Sequence, residues 1–91
     1  MYCGIDVSKN KSSICFIDSN RTILKEFEIE HTKEGLNKLK SCLTKDTKIA
    51  LEVTGNYSKV IYNNLVGEYD VCYVDSLQMT VLFNRSEYGF K

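Results

Sequence analysis

Apolar and polar residues alternate in three stretches near the start of the chain, at 1–8, 10–18 and 22–30. Alternation with a period of two is typical of a β-strand that buries one face. Short polar segments separate the stretches, so we predict three consecutive antiparallel strands. The third stretch carries three glutamates and a lysine, a composition that suits an exposed edge strand.

The rest of the chain alternates between helical and strand-like patterns. Thr32 is a suitable N-cap for a helix over 33–43, because its hydroxyl can accept a hydrogen bond from the first turn. A second helix is predicted over 57–69. Apolar residues recur at helical spacing in both segments, at Leu36, Leu39 and Leu43 and at Tyr57, Ile61 and Leu65. The remaining predicted elements are two strands and a third helix, at 47–53, 69–75 and 76–84.

This succession of elements restricts the topology. A helix between two parallel strands normally makes a right-handed crossover, so the first, fourth and fifth strands should lie parallel. Together with the three consecutive antiparallel strands, this gives a mixed five-stranded sheet in the order 3-2-1-4-5. Strand 2 is antiparallel, and helices follow strands 3, 4 and 5. This α/β arrangement is the ribonuclease H-like plan. Folds of this plan normally end with further helices, so we expect residues 1–91 to form a partial domain, incomplete at the C-terminus.

The composition limits the class of protein. Ninety-one residues accommodate one domain, and 12 basic and 12 acidic residues give a formal net charge of zero. A nucleic acid would therefore have to be bound through local features. No apolar run suits a membrane span or a signal peptide, so we expect a cytoplasmic protein with no membrane partner. The four cysteines form no CxxC unit, and we predict structural roles for those in apolar runs, namely Cys3, Cys15 and Cys72.

Two carboxylates fall on predicted strands, each two residues after a small residue on the same face. Gly4 precedes Asp6, and Ala50 precedes Glu52. If the two strands are neighbours, the acids lie about 5 Å apart. Like charges at about 4 Å repel by roughly 4 kcal/mol at an effective dielectric of 20, and a divalent cation reverses that interaction. We therefore predict that Asp6 and Glu52 bind Mg²⁺ or Mn²⁺; the ordinary alternative is a turn residue and a solvated strand residue.

Residues that flank the two acids suit a nucleic acid. Gly55 permits a sharp turn and a close approach of the backbone to a ligand, and the helix after Asn56 begins with free N–H groups that suit phosphate. Tyr57 could stack on a base or sugar, although its spacing from Ile61 also suits a core residue. The predicted nucleic-acid-binding residues are Lys9, Lys11, Thr54, Gly55, Asn56 and Tyr57. Exposed lysines in turns are also ordinary.

The two acids lie in two longer segments of the chain, YCGIDVSKNKSSICFID at 2–18 and IALEVTGNYSKVIYNNL at 49–65. These segments resemble the leading motifs of bacterial insertion-sequence transposases of the DEDD type. Within them, Gly-Ile-Asp-Val-Ser-Lys matches at 4–9 and Glu-x-Thr-Gly-Asn-Tyr at 52–57. The N-terminal domain of those transposases is similar to the RuvC Holliday-junction resolvase, and the resemblance covers essentially the whole chain as the first part of that domain.

The resemblance implies DNA strand cleavage and transfer with two Mg²⁺ ions bound by four acids. Asp6 and Glu52 would be the first two, as catalytic and metal-binding residues. The other two belong to a later Asp-x-x-Asp motif that this chain lacks, so we expect the chain alone to be inactive. The family also implies a C-terminal domain with a catalytic serine, a structured guide RNA, and a homo-oligomer for the full-length protein. One departure is Asp75, in a segment where the family often has Asn-Pro; its carboxylate could reach the same edge of the sheet.

Two other classes of protein remain as alternatives. ATP-binding domains of the actin, heat-shock and sugar-kinase superfamily also begin with Gly-Ile-Asp on a first strand, but their phosphate loops usually place Gly-Thr just after the Asp. Here Val7, Ser8 and Lys9 follow, with no glycine. The third class is a non-catalytic oligomerisation module, in which the partly apolar segment 76–84 would drive association.

Overall fold

A computed structural model describes residues 1–52, 55–75 and 77–78. The elements are β1 (Tyr2–Val7), β2 (Lys11–Ile17), β3 (Ile23–Glu30), α1 (Lys33–Cys42), β4 (Lys48–Glu52), α2 (Tyr57–Leu65) and β5 (Asp70–Val74). They form a five-stranded sheet in the order β3-β2-β1-β4-β5. β2 is antiparallel to both of its neighbours, whereas β1, β4 and β5 are parallel. The predicted α/β topology is confirmed, and it is consistent with a ribonuclease H-like fold.

The helices α1 and α2 pack with the strands in the main core of the protein. That core holds apolar residues of the central strands, Cys3, Ile5, Val7, Ile14, Phe16, Ile49 and Leu51. From the helical segments it takes Leu36, Leu39, Leu43, Ile61 and Leu65. Strand residues alternate between the two faces of a sheet, so the carboxylates of β1 and β4 belong to the face opposite this core. A smaller buried cluster lies on that opposite face, formed by Cys15, Ile17, Ala50 and Val74.

Helix α1 begins where the sequence predicted. The side-chain oxygen of Thr32 accepts a hydrogen bond of 3.0 Å from the amide of Gly35, which satisfies one of the free donors of the first turn. Gly35 is buried, and a Cβ at this position would overlap the carbonyl oxygen of Glu30. The helix can therefore start tightly against the end of β3 only with glycine there.

Only Leu77 and Gln78 of the helix predicted over 76–84 are among the described residues. Asp75 and Gln78, at the start of this segment, make the hydrogen bonds of a capping box. The Asp75 amide donates to Oε1 of Gln78 at 3.0 Å, and the Gln78 amide donates to Oδ1 of Asp75 at 2.8 Å. The carboxylate of Asp75 thus has a local structural role. The sequence signal was present as Asp-x-x-Gln.

The cysteines differ in their surroundings. Cys3 and Cys15 are buried, as predicted, and burial raises the pKa of the Cys3 thiol, which keeps it protonated. Cys72 is exposed, because it lies on the edge strand β5 beside Ala50 and faces away from the helices. Cys72 was predicted to have a structural role as a small apolar side chain, and its exposure does not support that prediction. Among the described residues, no helix has the length and apolar character needed to cross a membrane.

Candidate functional site

Asp6 and Glu52 lie on adjacent parallel strands, near the carboxyl end of each. The pairs Gly4–Ala50 and Ile5–Leu51 fix the register of β1 against β4. One residue further along this register, Asp6 stands level with Glu52. Neighbouring strands are about 4.8 Å apart, and level residues point to the same face. The fold thus places the two predicted acids side by side, while their chemical role stays a prediction.

The surroundings of the two acids differ from those of ordinary surface carboxylates. Asp6 is half-buried, and Glu52 is only 8% exposed. On the far side of Asp6, the register pairs it with Ser13, and Ser13 in turn with Glu28. A row of polar residues therefore runs across the sheet near the carboxyl ends of β1 and β4, from Glu28 through Ser13 and Asp6 to Glu52. Both acids of the pair also take part in interactions with other groups.

The donor set fits part of a divalent metal site. Within the described ranges, no group of three or more His, Cys, Asp or Glu side chains is placed to hold a metal ion. Mg²⁺ usually keeps several waters and is bound through one or two carboxylates together with substrate phosphates. Asp6 and Glu52 supply oxygen ligands of this kind. They fit the protein's share of a site that water and phosphate oxygens would complete.

The lysines predicted to bind nucleic acid lie on the turn between β1 and β2. The Ser8 amide donates to the carbonyl of Lys11 at 2.9 Å, which closes the turn. Lys9 is exposed. Lys11 Nζ lies 3.1 Å from Oε1 of Glu28, and both side chains are more than half exposed. Exposed ion pairs contribute little to stability, so Lys11 can exchange Glu28 for another anion at a small cost in free energy.

The predicted residues on the other side of the acids form the turn into α2. Gly55 has φ +68°, a left-handed conformation that favours glycine. The Asn56 side chain makes no capping hydrogen bond, and the first turn of α2 has no acidic residue. The hydroxyl of Ser58 donates to the Gly55 carbonyl at 2.9 Å. Thr54 lies outside the described residues.

His31 is the residue near this edge that the sequence reasoning missed. Its ring is stacked on that of Tyr57, with centroids 3.9 Å apart and planes 10° apart. Its Nε2 lies 2.9 Å from Oγ of Ser12, and the backbone of Lys11 and Lys9 lies near enough to the ring to raise its pKa, against the larger effect of burial. Burial lowers the pKa of His31 and raises that of Tyr57. No sequence signal pointed to this cluster, because only the topology brings its members together.

Ser12 and His31 do not act as a catalytic nucleophile and its general base. Ser12 is fully buried in the described structure, so a substrate could not reach its hydroxyl. The contact with His31 is one that satisfies a buried polar group. Tyr57 is partly buried against the core, which agrees with the core alternative for this residue.

A cavity of about 370 Å³ lies at the opposite edge of the sheet. It is lined at the amino ends of the parallel strands by Tyr2, Lys48, Asp70 and their neighbours. The carboxylate pair lies at the other end of the same strands. Ala50, two residues before Glu52, also lines the cavity, but neither of the two acids does.

Comparison with known proteins agrees with the motifs. The chain matches the model of the DEDD transposases of the IS110 type, described as Transposase, over residues 3–89. No curated protein gives a significant match. The matched segment contains β1 from its second residue, with Asp6, and the whole of β4, with Glu52, and it covers nearly all of the sequence. The chain therefore belongs to the DEDD transposase family of the IS110 type.

Proposed function

We propose that the chain contributes the first two metal-binding acids of a DNA transposase that cleaves and transfers strands during the movement of an insertion sequence. The observation that carries this proposal is the register of β1 against β4, which sets Asp6 level with Glu52. Membership of a transposase family supplies DNA as the substrate class.

Asp6 and Glu52 would hold Mg²⁺ or Mn²⁺ as catalytic and metal-binding residues. When bound, a pair of such ions stabilises the attacking and leaving oxygens of an in-line displacement at phosphorus. The carboxylates bring their negative charges to one place, and the ion is favoured because it offsets their repulsion. Gly4 and Ala50 precede the acids on the same face of the strands, and both are buried, so a phosphate would approach the acids from the carboxyl ends of the strands.

The segments on either side of the acids would contact the DNA backbone. The turn with Lys9 and Lys11 offers cationic side chains, and Lys11 would exchange Glu28 for a phosphate. The start of α2 offers amide groups at the positive end of the helix dipole. The proposed DNA-contacting residues are those predicted from the sequence, Lys9, Lys11, Thr54, Gly55, Asn56 and Tyr57.

The 91-residue chain alone should not cut DNA. Two carboxylates are fewer ligands than a two-metal site requires, and the resemblance assigns the other two acids to a later motif. We further propose, on the resemblance alone, that the full-length protein is a cytoplasmic homo-oligomer that uses a structured guide RNA. Mg²⁺-dependent nicking of supercoiled DNA by the purified chain, abolished in Asp6→Ala, would contradict the proposed inactivity.

Thermal melts with Mn²⁺, with Mg-ATP and with neither would test the metal site. A ligand that binds only the native state raises the Tm. We expect Mn²⁺ to raise the Tm of the wild type and of Asp46→Asn, a control at an exposed loop residue before β4, but not that of Asp6→Asn. An equal rise in Asp6→Asn would refute the site. A rise with Mg-ATP alone would favour the ATP-binding superfamily.

A further inference from the structure

The ring of His31 joins three segments that are distant in sequence. His31 itself lies between β3 and the N-cap of α1. On one side its Nε2 lies 2.9 Å from Oγ of Ser12, just after the turn from β1 to β2, and the backbone of Lys9 and Lys11 lies near the ring. On the other side it is stacked on Tyr57, the first residue of α2. The other aromatic stacks among the described residues involve neither His31 nor Tyr57.

The two linked segments leave the strands that carry the acids. The turn begins two residues after Asp6, and Tyr57 follows Glu52 by five residues. Tyr57 therefore fixes the far end of the segment that starts at Glu52. The turn is closed by the hydrogen bond from the Ser8 amide to Lys11, next to the backbone groups that the histidine contacts. An imidazole ring can make both kinds of contact at once, because its face stacks on Tyr57 while the nitrogen atoms at its edge lie beside the turn.

We propose that His31 is a positioning residue that couples the turn at 8–11 to the start of α2, so that the two segments flanking the Asp6–Glu52 edge hold one fixed arrangement. It is not a catalytic residue, since its contacts are Ser12, the backbone of the turn and Tyr57. The importance of this coupling for DNA rests on the proposed function. The coupling itself does not.

Amide hydrogen exchange gives a direct test on the whole chain. The Ser8 amide, which closes the turn, reports on the turn, and the Ile14 amide in the middle of β2 reports on global stability. Tyr57→Leu keeps an apolar side chain but removes the stack. We expect it to speed exchange at Ser8 by a larger factor than at Ile14. Tyr62→Leu is the matched control on the same helix, because Tyr62 is stacked on Tyr73 instead, and it should leave the ratio of the two rates unchanged.

A second variant shows whether His31 is the link. His31→Phe keeps a ring against Tyr57 but loses the hydrogen bond to Ser12 and the polar edge that faces the turn. Ser8 should therefore already exchange fast, and adding Tyr57→Leu should bring no further increase. The proposal is overturned if Tyr57→Leu leaves the Ser8 to Ile14 ratio at its wild-type value, or if its effect persists in His31→Phe. These rates do not involve a metal. Failure of Mn²⁺ to bind at Asp6 would overturn the proposed function and leave this result standing.

Discussion

Tyr57 lies flat against His31, with the ring centroids 3.9 Å apart and the ring planes 10° apart. The stack joins the first residue of α2 to the end of β3. Because β4 leads into α2 through the segment after Glu52, the stack helps to set where that segment ends. Aromatic pairs of this kind contribute about 0.5–1.5 kcal/mol beyond the area that they bury.

The stability of the chain should fall as the pH drops below 6.5. Burial lowers the pKa of His31 from its ordinary 6.5, so the unfolded chain takes up a proton at a higher pH than the native one. The histidine's contribution is complete above pH 6.5. It is lost as the pH falls from there through the lowered pKa.

Thermal melts on either side of pH 6.5 would measure this effect. His31 is the only histidine in the chain, so His31→Phe should show a smaller fall in Tm over the same pH interval. An equal fall in the variant would mean that another group is responsible.

Gly35→Ala should destabilise the protein, although alanine is normally the better helix former by about 1 kcal/mol. A Cβ at Gly35 would overlap the Glu30 carbonyl, and overpacking of this kind typically costs about 1–3 kcal/mol. Gly67→Ala is the control, because a Cβ there meets nothing within 4 Å. Urea unfolding of both variants gives the two free energies. Equal stability of the two would show that α1 can shift away from β3.

Thr32→Ala should cost about 1 kcal/mol, as the loss of an N-cap usually does. The hydroxyl accepts the Gly35 amide at 3.0 Å, and alanine leaves that donor without its partner. Thr32→Ser keeps the oxygen and should recover most of the stability. If serine is as destabilising as alanine in urea unfolding, the methyl group of Thr32 matters more than the cap.

Gly55→Ala should lower the free energy of unfolding by about 1–2 kcal/mol, which is the usual cost of the left-handed conformation for an L-residue. The cost should come from the backbone alone, because a Cβ at Gly55 meets nothing within 4 Å. Gly55→Asn should cost less, since asparagine tolerates this conformation better. Chemical denaturation of the two variants gives both free energies of unfolding. An unchanged value for Gly55→Ala would mean that the turn shifts to a conformation that alanine adopts without strain.

The order of the sheet could be predicted because local patterns and one general rule agree. Alternation defined β1 to β3, the helical spacing of Leu36, Leu39 and Leu43 defined α1, and the crossover rule ordered the parallel strands. The side-by-side placement of Asp6 and Glu52 then followed, because neighbouring parallel strands bring level residues of the same face together. Here the fold and the acid pair come from short-range information.

The His31 cluster could not be predicted in the same way. Ser12, His31 and Tyr57 lie in three separate segments of the chain, and the pattern of none of these segments indicates that the three side chains meet. Their contact depends on where the turn, the end of β3 and the start of α2 meet in three dimensions. Cys72 was misjudged for a related reason, because an apolar run does not reveal which face of an edge strand stays open.

Paramagnetic broadening by Mn²⁺ would show whether Asp6 and Glu52 form one metal site. Substoichiometric Mn²⁺ added to the ¹⁵N-labelled chain broadens the amides nearest to the bound ion. We predict broadening at the carboxyl ends of β1 and β4, lost in Asp6→Asn and in Glu52→Gln and kept in Asp46→Asn. Broadening centred elsewhere, or unchanged in either acid variant, would mean that Asp6 and Glu52 do not hold the ion together.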